Sequence, residues 1–154
     1  MYQKILVPVD GSATSSRGLQ EAIKLAKLTG ARLRLMHVVD SISFAAGMEV
    51  SMTVTNDMLK LMRESGEKML AKARAKVEKA GLRVDTVLVD SMAGRVCDLV
   101  IKQAEDWRAG LIVLGTHGRR GVGRMLLGSD AEMITRLSTV PVLLVRAVEA
   151  PAAD

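Results

Sequence analysis

The residues with the clearest chemical potential are glycines and a serine that follow an apolar run at residues 111–114. Two residues separate Gly115 from Gly118, and nine more lead from Gly118 to Gly128 and Ser129. Glycine lets the backbone approach a ligand closely, and a helix that begins near Ser129 would direct its first amide groups at an anion. The spacing therefore predicts a loop that wraps the phosphate chain of a nucleotide.

Two common nucleotide-binding patterns do not fit this segment. Gly123 and Gly128 enclose four residues, but Ser129 stands where a Walker A loop carries its lysine. The dinucleotide fingerprint Gly-x-Gly-x-x-Gly does not occur between Gly115 and Gly128. A flexible surface loop followed by a capping box at residues 129–132 is the competing interpretation. The position directly after a buried strand favours the phosphate loop.

A second candidate lies near the N-terminus, where the apolar residues 5–9 lead into Asp10, Gly11 and Ser12. A carboxylate at the end of a strand can accept hydrogen bonds from ribose hydroxyls or from an adenine amine. Asp-Gly-Ser is also a turn signal, so a purely structural role for Asp10 is the alternative. The place of this residue at the end of a predicted strand favours a functional role.

The elements that must position these residues follow from the periodicity of the apolar side chains. Short runs rich in branched residues predict five strands, at residues 5–9, 33–39, 84–89, 111–114 and 142–145. The first, fourth and fifth of these are expected to be fully buried. Helical spacing predicts four helices, at residues 15–28, 56–80, 95–108 and 129–137.

Strands that alternate with helices predict a parallel sheet with helices on both faces, because parallel neighbours need long right-handed crossovers. The predicted fold class is α/β, with a doubly wound, Rossmann-like sheet of five parallel strands in the order 3-2-1-4-5. Ligands bind such sheets beyond the carboxyl ends of the strands, where the winding direction reverses. Asp10 and Gly115 are therefore expected to meet in one crevice.

Composition narrows the classes of function. The 154 residues, 49% of them hydrophobic, indicate a single domain, predicted at residues 1–148 with a frayed tail at 149–154. The net charge of +5 suits an anionic ligand, whereas one Tyr, one Phe and one Trp are too few for the stacking platforms of nucleic-acid binders. A single cysteine, Cys97, indicates a reducing compartment, so the cytoplasm is the expected location. No apolar run reaches the length of about 18 residues that a membrane span requires.

The chain resembles the universal stress protein family over nearly its whole length. Nucleotide-binding members carry Gly, two residues, Gly, nine residues, Gly and then Ser or Thr, a pattern matched here by Gly115, Gly118, Gly128 and Ser129. Three further segments resemble the family: residues 5–12, 37–40 and 140–145. The resemblance implies ATP as the ligand and a homodimer formed through the last strand.

The resemblance also implies a role for each matching residue. The base pocket would be lined by Pro8, Val9, Val38 and Leu114, and Asp10 would lie by the ribose or the adenine. The ribose and phosphates would be surrounded by Gly115, Thr116, His117 and Gly118. Phosphate oxygens would be held, through backbone amides and a hydroxyl, by Gly128, Ser129, Asp130 and Ala131.

Asp130 fits this scheme least well. A carboxylate in the first turn of a helix suits the helix dipole but repels a phosphate at the same end. Either the side chain points away, or it acts through a divalent cation such as Mg²⁺, which prefers carboxylate and phosphate oxygens. Mg²⁺ is therefore expected beside ATP, and ATP is expected to bind more weakly without it.

Together these features predict an ATP-binding universal stress protein that acts as a nucleotide-dependent switch or regulator in the stress response. No residue is a candidate for orienting an attacking water, and His117 has no nucleophile paired with it, so at most slow ATP hydrolysis is expected. The alternatives are a slow ATPase or autophosphorylating enzyme, and an interaction module without nucleotide. Residues 40–55 lack clear periodicity, which leaves a flap, a contact surface and a disordered segment all open.

Overall fold

Strands and helices alternate along the chain in the computed structural model, which describes residues 2–41, 56–116 and 127–146. The strands are β1 (Lys4–Pro8), β2 (Arg32–Val39), β3 (Val84–Asp90), β4 (Leu111–Gly115) and β5 (Val142–Val145). The helices are α1 (Ala13–Thr29), α2 (Asn56–Lys79), α3 (Val96–Trp107) and α4 (Ser129–Leu137), and a short 3-10 helix, Ser91–Ala93, follows β3. Every predicted element is confirmed, with boundaries that differ by no more than two residues.

The strands form one parallel sheet in the order β3-β2-β1-β4-β5, which confirms the predicted fold. β1 lies in the centre and pairs with β2 on one side and β4 on the other. The chain winds outward from β1 in both directions, so the switch point lies between β1 and β4. The ends of these two strands carry the residues that the sequence singled out.

Two hydrophobic clusters cover the faces of the sheet. Ile5 and Val7 of β1 point to the face packed by α1 and α2, whereas Leu6 points to the face packed by α3 and α4. All three side chains are fully buried. Burying a side chain of this size contributes about 1.5–3 kcal/mol, so β1 is held firmly from both faces. A rigid β1 in turn fixes the position of Asp10 at its end.

The last strand departs from its predicted burial. Leu143 is 37% exposed, and Val145 alone of the four residues of β5 is buried. Among the described strands, β5 lies at the edge of the sheet and pairs with β4. The prediction of a fully buried fifth strand is therefore wrong, because a short apolar run has the same appearance in the centre of a sheet and at its edge.

Several predicted features lie outside the described residues. These are His117, Gly118, residues 42–55, the domain boundary at residue 148 and the tail at 149–154. Among the helices of the described ranges, none combines the length and the apolar character needed to cross a membrane.

Candidate functional site

A cavity of about 660 Å³ lies at the carboxyl edge of the sheet, next to the switch point between β1 and β4. Its volume falls within the range of about 300–1,000 Å³ that is typical of small-molecule sites. Ten of the residues predicted for the site line this cavity: Pro8, Val9, Asp10, Val38, Leu114, Gly115, Gly128, Ser129, Asp130 and Ala131. The topology therefore brings together residues that are far apart in the sequence.

Thr116 has a different position from these ten. Its side chain is buried, its N–H donates to the carbonyl of Val145 at 3.0 Å, and its carbonyl accepts from the N–H of Gly128 at 2.8 Å. Thr116 thus extends the pairing of β4 with β5 and holds the backbone just before α4. In the described part of the chain it supports the cavity through the backbone and is not one of the lining residues.

Asp10 both lines the cavity and closes a turn. Its Oδ1 accepts a hydrogen bond from the N–H of Ser12 at 2.9 Å, as in an Asx turn. Its own N–H donates to Oγ of Ser15 at 3.1 Å, and the N–H of Ser15 donates to Oγ of Ser12 at 3.1 Å. The turn that the sequence indicates at Asp10 is therefore present, and the same bonds hold this carboxylate at the cavity wall.

The start of α4 offers backbone amide groups to the cavity. Gly128 is the N-cap residue, with φ −60° and ψ 145°, and it makes no side-chain capping bond. The first intrahelical bond of α4 runs from the N–H of Glu132 to the carbonyl of Gly128 at 2.9 Å. The capping-box interpretation of residues 129–132 is wrong, because Ser129 is the first helical residue and does not occupy the N-cap. Gly128 therefore supplies no side-chain acceptor to the first-turn amides of the helix.

Part of the cavity lining is apolar. Val9 and Leu114 are each 6% exposed, and both line the cavity together with Val38. Met36 and Ile134, which the sequence analysis did not single out for the site, also contribute to the lining. A cavity that combines this apolar lining with the backbone amides at the start of α4 suits a ligand with a flat ring at one end and charge at the other.

His37 and Gly66 are lining residues that the sequence analysis missed as site residues. His37 is buried, and its Nδ1 donates to the carbonyl of Val9 at 2.7 Å, so this side chain joins the ends of β2 and β1. A Cβ on Gly66 would lie 2.7 Å from Cδ2 of His37 and 2.9 Å from Cδ1 of Leu88. The glycine lets α2 approach β2 closely. An isolated glycine within a predicted helix was the available signal.

Cys97 belongs to the packing behind the site. Its side chain is buried in the cluster between the sheet and helices α3 and α4. Burial raises the pKa of the Cys97 thiol, and the neighbouring carboxylate of Asp98 raises it further. The thiol is therefore protonated at neutral pH, as is typical of a small core residue and not of an activated nucleophile.

The comparison with known proteins agrees with this architecture. The chain matches the model of the universal stress protein family over residues 1–146. Universal stress protein MJ0531 of Methanocaldococcus jannaschii is 34% identical over 147 residues, which cover 95% of this chain and 83% of that protein.

Two solved structures are similar over almost the full length. The structure of MJ0577, also from Methanocaldococcus jannaschii, is 27% identical with a TM-score of 0.82, and the match covers 97% of this chain and 99% of that one. A universal stress protein in complex with cAMP is 23% identical with a TM-score of 0.66, and the match covers 94% and 97% of the two chains. At that identity the second likeness shows a shared fold.

Proposed function

The chain belongs to the universal stress protein family, and from this premise we propose that it binds ATP in the cavity at the carboxyl edge of its sheet. Binding of the nucleotide is proposed to act as a switch in the stress response. The observation that carries the proposal is the start of α4, where Gly128 lines the cavity and supplies no capping side chain. A helix start of this kind is suited to bind an anionic group.

The phosphate end of ATP is proposed to lie at Gly128, Ser129, Asp130 and Ala131, all of which line the cavity. The aligned peptide dipoles place about half a positive charge at a helix N-terminus, and the first-turn amides point along the axis toward it. The exposed hydroxyl of Ser129 adds one further donor. Together these groups can bind several phosphate oxygens without a lysine.

The base and ribose are proposed to occupy the other end of the cavity. Pro8, Val9, Val38 and Leu114 supply the apolar wall for adenine, and Asp10 can accept from the ribose hydroxyls or the adenine amine. The family member solved with cAMP makes an adenine nucleotide the first ligand class to test. The backbone of Gly115 and Thr116 is proposed to continue around the ribose into His117 and Gly118, which lie outside the described residues.

Mg²⁺ is proposed to accompany ATP. Asp130 is exposed in the first turn of α4 and lines the cavity, so its carboxylate is placed to meet a cation bound to phosphate. In the described ranges, no group of three or more His, Cys, Asp or Glu side chains could hold a metal ion. One carboxylate completed by phosphate oxygens and water is a common donor set for Mg²⁺ in nucleotide sites, and these residues fit it.

A homodimer through β5 is the proposed assembly. The strand lies at the edge of the sheet and exposes Leu143, and an unpaired edge can add a strand from a second copy. Light scattering at micromolar concentration is expected to give a dimer mass for the native chain and a monomer mass for Leu143→Lys. A monomer mass for the native chain would refute the dimer. The cytoplasm is the proposed location, because the chain has a single cysteine and therefore no internal disulfide.

Calorimetric titration of nucleotide-free protein with ATP and Mg²⁺ tests the function. The native chain is expected to show saturable binding at one site. Asp10→Asn keeps an oxygen for the Ser12 N–H but loses the charge, so we expect binding roughly tenfold weaker, about 1.4 kcal/mol. Asp85→Asn is the matched control, since Asp85 pairs with Arg32 and Arg34 at the opposite edge of the sheet.

Three results would contradict the proposal or one of its parts. Absence of both heat and competition by ATP in the native chain would mean that the cavity does not serve a nucleotide and would favour an interaction module. Steady phosphate release that is lost in Gly118→Ala would instead favour the slow ATPase. Equal loss of affinity in Asp10→Asn and Asp85→Asn would show that Asp10 has no specific role at the site.

A further inference from the structure

Helix α1 meets the end of β4 through two glycines. A Cβ on Gly18 would lie 3.3 Å from the backbone nitrogen of Gly115 and 3.4 Å from the carbonyl carbon of Leu114. A Cβ on Gly115 would lie 2.7 Å from the carbonyl carbon of Thr14 and 2.9 Å from the nitrogen of Ser15. These atoms belong to the backbone and cannot rotate away, so a Cβ at Gly115 would force α1 and β4 apart, and a Cβ at Gly18 would require a shift of a few tenths of an ångström.

Space, rather than backbone conformation, favours glycine at both positions, and more strongly at Gly115 than at Gly18. The described glycines with positive φ are Gly11, Gly30, Gly81 and Gly94, and neither Gly18 nor Gly115 is among them. A glycine inside a helix is less favourable than an alanine, so Gly18 weakens α1 unless close packing compensates. Gly115 was interpreted from the sequence as a residue that lets a ligand approach. The structure shows that α1 itself fills the space where its side chain would be.

The same turn of α1 holds Asp10 in place. Thr14 and Ser15, which a Cβ on Gly115 would strike, are both buried, and Oγ of Ser15 accepts the hydrogen bond from the N–H of Asp10 at 3.1 Å. Ser12 connects Asp10 and Ser15. Its N–H donates to Oδ1 of Asp10, and its Oγ accepts from the N–H of Ser15. A shift of α1 away from β4 would therefore carry the Asp10 turn with it.

We propose that Gly18, which lies outside the glycine pattern, is a positioning residue for the nucleotide site. By letting α1 contact the backbone at Leu114 and Gly115, it sets the distance between the Asp10 carboxylate and the start of the glycine loop. The inference rests on the proposed binding of ATP in this cavity. A side chain at position 18 would widen that distance and weaken nucleotide binding without touching the nucleotide.

A graded series of glycine-to-alanine substitutions tests this idea, because each makes the same chemical change. Gly115→Ala meets backbone at 2.7 Å and is expected to lower both ATP affinity and the melting temperature. Gly18→Ala meets backbone at 3.3 Å and is expected to lower affinity severalfold. Gly110→Ala is the control, because its nearest neighbour would lie at 3.6 Å, an ordinary contact, and its φ is not positive.

Two measurements separate positioning from a loss of stability. Alanine favours a helix, so Gly18→Ala is expected to weaken ATP binding while its melting temperature falls little or even rises. In NMR spectra of the nucleotide-free protein, the backbone amide signals of Asp10 and Ser12 are expected to differ from those of the native chain in Gly18→Ala. The same signals are expected to be unchanged in Gly110→Ala. Gly18→Ala is also expected to lower ATP affinity less in a chain that already carries Asp10→Asn. In that chain the Asp10 carboxylate, whose position Gly18→Ala would change, has lost its charge.

The outcomes are distinguishable. Unchanged amide signals of Asp10 and Ser12 in Gly18→Ala would overturn the inference whether or not ATP binds, and so would shifted signals with native ATP affinity. A native chain that does not bind ATP would contradict the proposed function, and the role of Gly18 at a nucleotide site would fall with it. The amide signals would then still decide whether the glycine contact positions the Asp10 turn. Should Gly115→Ala fail to fold, Gly18→Ala and Gly110→Ala carry the test.

Discussion

Helices α1 and α4 begin at the same edge of the sheet and differ in how their first turns are completed. Ser12 caps α1 by accepting a hydrogen bond from the N–H of Ser15, whereas Gly128 stands at the equivalent place in α4 and makes no side-chain bond. Both N-termini carry the partial positive charge of a helix dipole. In α1 Ser12 satisfies that end, whereas in α4 the N-cap residue brings no side chain, and we propose that a ligand binds there.

Burial follows the same division. Thr14 and Ser15 in the first turn of α1 are 7% and 6% exposed, and Oγ of Ser12 lies 3.2 Å from Oγ1 of Thr14. Ser129 and Asp130 in the first turn of α4 are exposed. The cavity is thus bounded by one helix start that is fixed by its own side chains and another that presents its backbone. A helix N-terminus is therefore a candidate anion site only where the N-cap residue leaves the amides of the first turn available.

The largest effect on this comparison is expected from giving α4 the cap that α1 has. In Gly128→Ser the observed φ of −60° and ψ of 145° suit a serine N-cap, whose oxygen would accept from a first-turn amide. A hydrogen bond between an amide and a charged group contributes about 1.5–3 kcal/mol, and competition by the new hydroxyl removes part of it. We expect ATP to bind roughly tenfold more weakly, with the melting temperature kept or slightly raised, as measured by calorimetric titration and thermal unfolding.

Gly128→Ala is the control for this substitution, because it adds the same Cβ without an oxygen. It is expected to lose less affinity than Gly128→Ser and to destabilise α4 slightly, since alanine is a poor N-cap residue. Equal affinity losses in the two variants would show that crowding, and not competition for the amides, weakens binding. The open helix start would then not be the feature that binds phosphate.

The next largest effect is expected from removing the cap of α1. Ser12→Ala deletes the acceptor for the Ser15 N–H and should cost about 1 kcal/mol of unfolding free energy, measured by urea denaturation. Ser12→Asp restores an N-cap acceptor and is expected to recover most of that stability. ATP affinity should change less than in Gly128→Ser, because the substitution keeps the backbone N–H of residue 12 that donates to Asp10. A larger loss of affinity than of stability would show that the α1 cap also serves the ligand.

The two helix starts also show what the sequence could and could not predict. The alternating elements predict a parallel sheet, and the assumption that β1 and β4 are central neighbours correctly brought Asp10 and Gly115 to one crevice. The N-cap of α4 was misassigned to Ser129, because serine favours N-caps in general. The sequence does not reveal that the carbonyl of Thr116 holds the Gly128 N–H and so sets where the helix begins.

Contacts between elements that are far apart in the sequence could not be predicted, for a related reason. Gly18 and Gly66 both lie inside helical patterns, where periodicity identifies the helix but not the surface against which each residue packs. Their importance depends on the backbone of β4 in one case and on the ring of His37 in the other. Only the assembled sheet brings these partners together. A helical glycine can therefore be flagged from the sequence, but its partner cannot be named.

The smallest effect is expected at Asp130, where the helix dipole and the phosphate have opposing requirements. A charge near a helix end changes the free energy by about 0.3–1 kcal/mol, so Asp130→Asn should change ATP affinity about two- to threefold. In a chelator the variant should bind ATP more tightly than the native chain, because the repulsion between carboxylate and phosphate is gone. In Mg²⁺ the gain should vanish or reverse, since the carboxylate then helps to hold the cation.

Glu132→Gln, in the same turn but outside the cavity lining, is the control and should not alter the response to Mg²⁺. If the native chain binds ATP equally well with and without Mg²⁺, Asp130 does not act through a cation, and the open start of α4 tolerates its charge unaided.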